Sequence, residues 1–164
     1  MGLLGLAVTG AVQAAWAQTD PRIGGPAARI AFVGPAGDPL TGPVIRVTGA
    51  YPGMGPERSV LAVRNVGGVS VTYRVSTRVS GSHARALARV LEVRVTEPVS
   101  DRLVYHGGLA DLRFAGGAAL VPGELASYRI SVAWPASQDD RRYDGVGVAF
   151  ELRGTASAVL EGAL

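Results

Sequence analysis

The side chains that could do chemistry here are few. Two histidines, His83 and His106, stand far apart, and neither belongs to a His-Glu-x-x-His pattern that would set two metal ligands on one helical face. A protein zinc site needs three or four convergent ligands, and the spacing supplies no third. The chain has no cysteine, which excludes zinc-thiolate and redox-thiol chemistry. No Gly-x-Ser-x-Gly elbow is present, so no serine is prepared for acyl transfer. The paired glycines Gly107-Gly108 and Gly116-Gly117 lack the Lys and the strand-to-helix context of a phosphate cradle, and they read as turns. One oxygen-rich group remains. Asp139, Asp140 and Asp144 could bind calcium if loop carbonyls joined them, although their spacing is not that of an EF-hand and Arg141-Arg142 could neutralise them instead. The expectation is a protein without a catalytic centre and without a cofactor.

The elements that must carry these residues are short strands. Apolar and polar residues alternate over Val69–Ser76, Leu91–Thr96, Tyr128–Trp134 and Val146–Arg153, which predicts strands with one buried and one wet face. Ala28–Val33, Pro43–Thr48, Ser59–Arg64 and Arg102–Tyr105 are weaker strand candidates bounded by Gly or Pro. The spacing of Ala84, Leu87, Ala88 and Leu91 predicts one or two helical turns over Ser82–Val90. Pro35–Pro43 reads as a loop, and Tyr51-Pro52-Gly53 and Val121-Pro122-Gly123 suit type II turns. The fold expected is all-β: a jelly-roll-like antiparallel β-sandwich of about eight strands with at most one or two short helical turns.

Met1–Ala17 has the layout of a secretory signal, with an apolar run over Gly2–Val12 and small residues at Ala15 and Ala17 for cleavage, although no basic residue precedes Arg22. It is too short and too interrupted for a transmembrane anchor. The expected organisation is a signal over 1–17, an N-terminal extension and loop over 18–42, a β-sandwich over 43–158 and a tail over 159–164. Such a chain would be secreted, extracellular at the cell surface or in a matrix, with no stable membrane insertion of its mature part. All sixteen basic residues are Arg, against thirteen acidic ones, for a net charge of +3. Apart from the adjacent Arg141-Arg142 they are scattered singly through strands, which reads as solvated sheet faces rather than as a nucleic-acid footprint.

The order of the motifs Tyr51-Pro52-Gly53, Asn65-Val66-Gly67, Tyr73, Tyr105-His106-Gly107-Gly108-Leu109, Pro122-Gly123-Glu124, Tyr128, Trp134-Pro135 and Tyr143-Asp144-Gly145 resembles the TasA/CalY (camelysin) family of secreted bacterial proteins. The resemblance runs from about Pro43 to Ala156. Asp144 departs from the family's usual Gln, and Asp139-Asp140 from its usual Asn. It implies a jelly-roll domain, relatives that build biofilm-matrix fibres, and subunits that join by donating an N-terminal strand to the next sheet. On that reading the donor is Gln18–Val33, ending in Arg29, Ile30, Ala31, Phe32 and Val33, with the Gly/Pro loop behind it as hinge, and the partner is another copy or another matrix protein. Pairing of Ile30–Val33 within its own domain is the alternative. Some relatives carry a metalloprotease label, for which these histidines offer no parts. A second function class is a monomeric module that binds polysaccharide or a cell-surface partner through Trp134, Tyr105 and Tyr143 as an exposed aromatic platform. Burial of those rings separates the two, and Trp134, in register with Ile130 and Val132, is expected to be buried.

Overall fold

A computed structural model describes residues 28–38, 40, 50–79, 82–138 and 150–159. The sandwich predicted from alternation is present. Eight strands, β1 (Ile30–Val33), β2 (Glu57–Asn65), β3 (Val71–Val79), β4 (Glu92–Thr96), β5 (Leu103–Gly108), β6 (Arg113–Ala115), β7 (Leu125–Ala133) and β8 (Phe150–Ala158), form two antiparallel sheets. One has the order β1-β2-β7-β4-β5 and the other β6-β3-β8. Among the described strands, β1-β2 and β4-β5 are the pairings between strands consecutive in the chain. Every other pairing joins distant segments, so the chain passes repeatedly from one sheet to the other.

Period-two alternation builds the interface between the sheets. From β3, Val71, Tyr73 and Val75 point inward, and Val93 and Val95 of β4 do the same. Ile130 and Val132 of β7 and Leu152 of β8 complete the layer. Burial of these side chains away from water, at roughly 1.5–3 kcal/mol each, is the main term holding a disulfide-free sandwich together. Phe114 meets Tyr128 edge-on, with ring centroids 4.8 Å apart and planes at 61°. The hydroxyls of Tyr73 and Tyr128 hydrogen-bond to one another across the core. Burial first, and that bond second, push the Tyr73 phenol well above its ordinary pKa.

Helix α1 (Ser82–Val90) occupies the predicted segment and lays Leu87 and Ala88 against the core, with Leu91 just beyond it. The two Pro-Gly turns form as expected: Met54 N–H donates to Tyr51 C=O and Glu124 N–H to Val121 C=O, both at 3.0 Å. Gly53 and Gly123 take φ of +86° and +83°, the left-handed conformation that the third position of a type II turn requires.

One local reading needs correction, and one strand was not foreseen. Tyr105–Gly108 is not a turn but the end of strand β5, running through Gly107 and Gly108. The reason is aromatic cover: the Tyr105 ring folds over Gly107, where a Cβ would lie 2.8 Å from Tyr105 Oη, and the hydroxyl donates to Gly108 C=O at 2.8 Å. The three-residue strand β6 was not foreseen, because three residues are too few for alternation to register. It follows a single 3-10 turn, Leu109–Asp111. The weak strand candidate Pro43–Thr48 and the first part of Val146–Arg153 lie outside the described residues.

Candidate functional site

Strand β1 is the segment singled out for assembly, and its local sequence explains its seating. Alternation places Ala28, Ile30 and Phe32 inward, 0–3% exposed, while Arg29 points to solvent. The strand pairs antiparallel with β2, from Ile30↔Asn65 to Val33↔Ala62, and forms one edge of the five-stranded sheet among the described residues. Ile30 and Phe32 reach across to the opposite sheet, where β8 presents Gly154. A Cβ at that position would lie 2.7 Å from Ile30 Cδ1 and 3.1 Å from Phe32 Cζ. The missing side chain of Gly154 is therefore the slot that receives β1.

Asn65 locks the slot's rim, a role the sequence reading gave no residue. It is 1% exposed, and its amide donates to the carbonyls of Val69 and Leu120, both at 2.8 Å. Its side-chain oxygen accepts from Gly67 N–H at 2.9 Å. Its backbone pairs with Glu124 and Gly123, and the next two residues, Val66 and Gly67, both donate N–H to Arg29 C=O. One buried amide thus ties the β2–β3 loop to the 120–124 turn, and that loop in turn holds the start of β1. The Asn-x-Gly spelling was visible, yet only the fold reveals which carbonyls face the amide.

A second arrangement emerges from register. Arg58 of β2 and Arg94 of β4 both stand opposite Ser131 of the intervening β7, and Arg129, two residues along β7, stands between Val60 and Thr96. The three arginines, scattered singly along the chain, share the outer face of the five-stranded sheet. They line an open groove of about 460 Å³ with Ser59, Val60, Thr96, Asp101 and Ser131. Arg129 Nη1 donates to Asp101 Oδ1 at 2.9 Å. Among the described residues, Arg58 and Arg94 carry no ion pair or hydrogen bond. The sequence reading missed this groove because adjacency across strands is invisible until the pairing is known.

The remaining sequence candidates are placed as follows. His106 is on β5, exposed, and paired with Glu92 of β4. His83 lies in the first turn of α1, far from it in the chain. No group of three or more His, Asp or Glu residues is arranged to hold a metal among the described residues. Asp139, Asp140, Asp144 and Tyr143 lie outside the described residues. Trp134 is 0% exposed and its indole N–H donates to Gln138 C=O at 2.7 Å, so it cannot join an aromatic platform. Tyr105 is half-buried and spends its hydroxyl on Gly108. No helix among the described residues is long and apolar enough to cross a membrane. Compared with protein-family models and with curated proteins, the chain matches none.

Proposed function

We propose that this protein is a secreted structural subunit that assembles into an extracellular fibre or matrix by exchange of its N-terminal strand. The observation that carries the reading is the separable character of β1. It is four residues long, and among the described residues it lies at a sheet edge and hydrogen-bonds to one neighbouring strand, with its two large side chains buried in a slot formed by Gly154. A strand of that kind is an interchangeable part, since an identical strand from a second copy would meet the same slot and the same edge of β2 once β1 has left it. The closed monomer satisfies its own slot, and the fibre forms when each copy occupies the next. The signal-like layout of Met1–Ala17 and a motif order that resembles the TasA/CalY family support this reading.

The aromatic-platform alternative loses its strongest member to the core, because Trp134 has no exposed face on which a sugar could stack. The test of strand exchange is electron microscopy of the concentrated protein with and without residues 18–33. Fibres from the intact chain and none from the shortened one are expected. Equal fibre formation by both would end the proposal.

A further inference from the structure

We infer that the arginine groove on the outer face of the five-stranded sheet is a binding site for a carboxylate-bearing polysaccharide. A guanidinium presents a rigid fork of N–H donors that matches a carboxylate in two parallel hydrogen bonds. Arg58 and Arg94 are two strand spacings apart, about 9.5 Å at the roots of their side chains. They therefore offer two separate contacts rather than one clamp, which suits a polymer with repeated acid groups. Between them lies the hydroxyl of Ser131, with Thr96 alongside, and the exposed methyl groups of Val60. That mixture of cation, hydroxyl and small apolar surface complements a sugar ring that carries an acid, hydroxyls and C–H faces.

The third arginine already displays the chemistry. Arg129 holds the carboxylate of Asp101, the one acidic side chain lining the groove among the described residues. Asp101 adopts φ of +52°, which a side-chain-bearing residue takes up only when its surroundings hold it there. The loop that holds it is closed by Glu97, which accepts from Arg102 Nε at 3.1 Å and from Ser100 Oγ at 2.7 Å. Asp101 thus acts as an internal occupant of one subsite and leaves Arg58 and Arg94 to the ligand.

Nucleic acid fits the same groove less well. No aromatic side chain lines it among the described residues, so it offers no stacking surface there of the kind on which single-stranded bases are held. The flat face of a sheet also cannot enter a major groove as a helix does.

The experiment is retardation of the purified chain in gels containing polygalacturonate, with neutral dextran and duplex DNA as the other arms. Polygalacturonate is expected to retard the chain, and dextran is not. Arg58→Gln and Arg94→Gln should each weaken binding about fivefold, the upper range for an exposed charge contact. Arg74→Gln removes the same charge from the outer face of the other sheet and should change nothing. Asp101→Asn should tighten binding by releasing Arg129. All four sites are exposed, and an unchanged thermal midpoint of each variant establishes that folding is intact. The proposal fails if Arg74→Gln weakens binding as much as Arg58→Gln, which would mean net charge alone is read. It fails equally if dextran binds as well as polygalacturonate, or if DNA binds more tightly.

Discussion

At the scale of single residues, Asn65 concentrates more of the fold than any charged group. Its amide answers two carbonyls and one N–H that have little access to water, and a buried polar group deprived of its partner costs about 1–3 kcal/mol. Asn65→Ala is therefore expected to lower stability by roughly 2–4 kcal/mol, read from the urea midpoint. Asn65→Asp should be worse at neutral pH, because an ionised carboxylate faces the oxygens of Val69 and Leu120 and can donate to neither. The sign of its pH dependence follows. Burial against those oxygens raises the carboxyl pKa in the folded state, so the variant's deficit should shrink as pH falls and a protonated acid regains one donor. A deficit independent of pH would show that the side chain is turned away from those carbonyls. Gly107 and Gly116 make the complementary point. Each leaves out a side chain so that a tyrosine ring, Tyr105 or Tyr73, can lie against the backbone.

At the scale of elements, β1 and its slot make the sharpest claim. Gly154→Val places branched carbon where Ile30 Cδ1 and Phe32 Cζ now sit, and overpacking of this kind costs about 1–3 kcal/mol. Because β1 has one hydrogen-bonded neighbour among the described strands, the strain is expected to lift that strand rather than to disrupt the sheets. Limited proteolysis should then cut at Arg29 far faster in the variant, while the circular-dichroism spectrum stays that of the parent. Unchanged cleavage would mean that β1 is held by β2 alone. The same elements mark what was legible in the sequence. Strands β3, β4 and β7, and helix α1, could be read directly, because each buries one face over at least five residues and the pattern records it. Strand β6, with Phe114 as its one buried residue, is shorter than its own period. The end of β5 was misread because Gly-Gly usually signals a turn, and the cover that Tyr105 gives Gly107 depends on a ring folding back along its own strand. The arginine groove was illegible for a different reason. Its members come from β2, β4 and β7, and only the pairing order tells which positions face each other.

At the scale of the whole molecule, the two ends of the described chain are unequal. Strand β8 pairs with β3 along its full length, from Val71↔Ala158 to Val79↔Phe150, and contributes Leu152 and Ala156 to the core. Without it the smaller sheet would keep, among the described strands, β3 and the three residues of β6, and the apolar face of the larger sheet would lose much of its cover. That loss exceeds what a domain holding on the order of 5–15 kcal/mol can absorb, so a chain ending before Phe150 is expected to be unfolded. Strand β1 offers less. Ile30, Phe32 and Val33 contribute roughly 1.5–3 kcal/mol each on burial, but ordering four residues at an edge costs about 1–2 kcal/mol apiece. Removing residues 18–33 should therefore leave a folded sandwich, weakened by only a few kcal/mol and with an empty slot over Gly154. Urea titrations of the two shortened chains, followed by circular dichroism, measure the asymmetry. If both unfold alike, β1 is an integral part of the core and cannot be exchanged between copies. If only the chain without β8 unfolds, the N-terminal strand is an element the sandwich can release and take back.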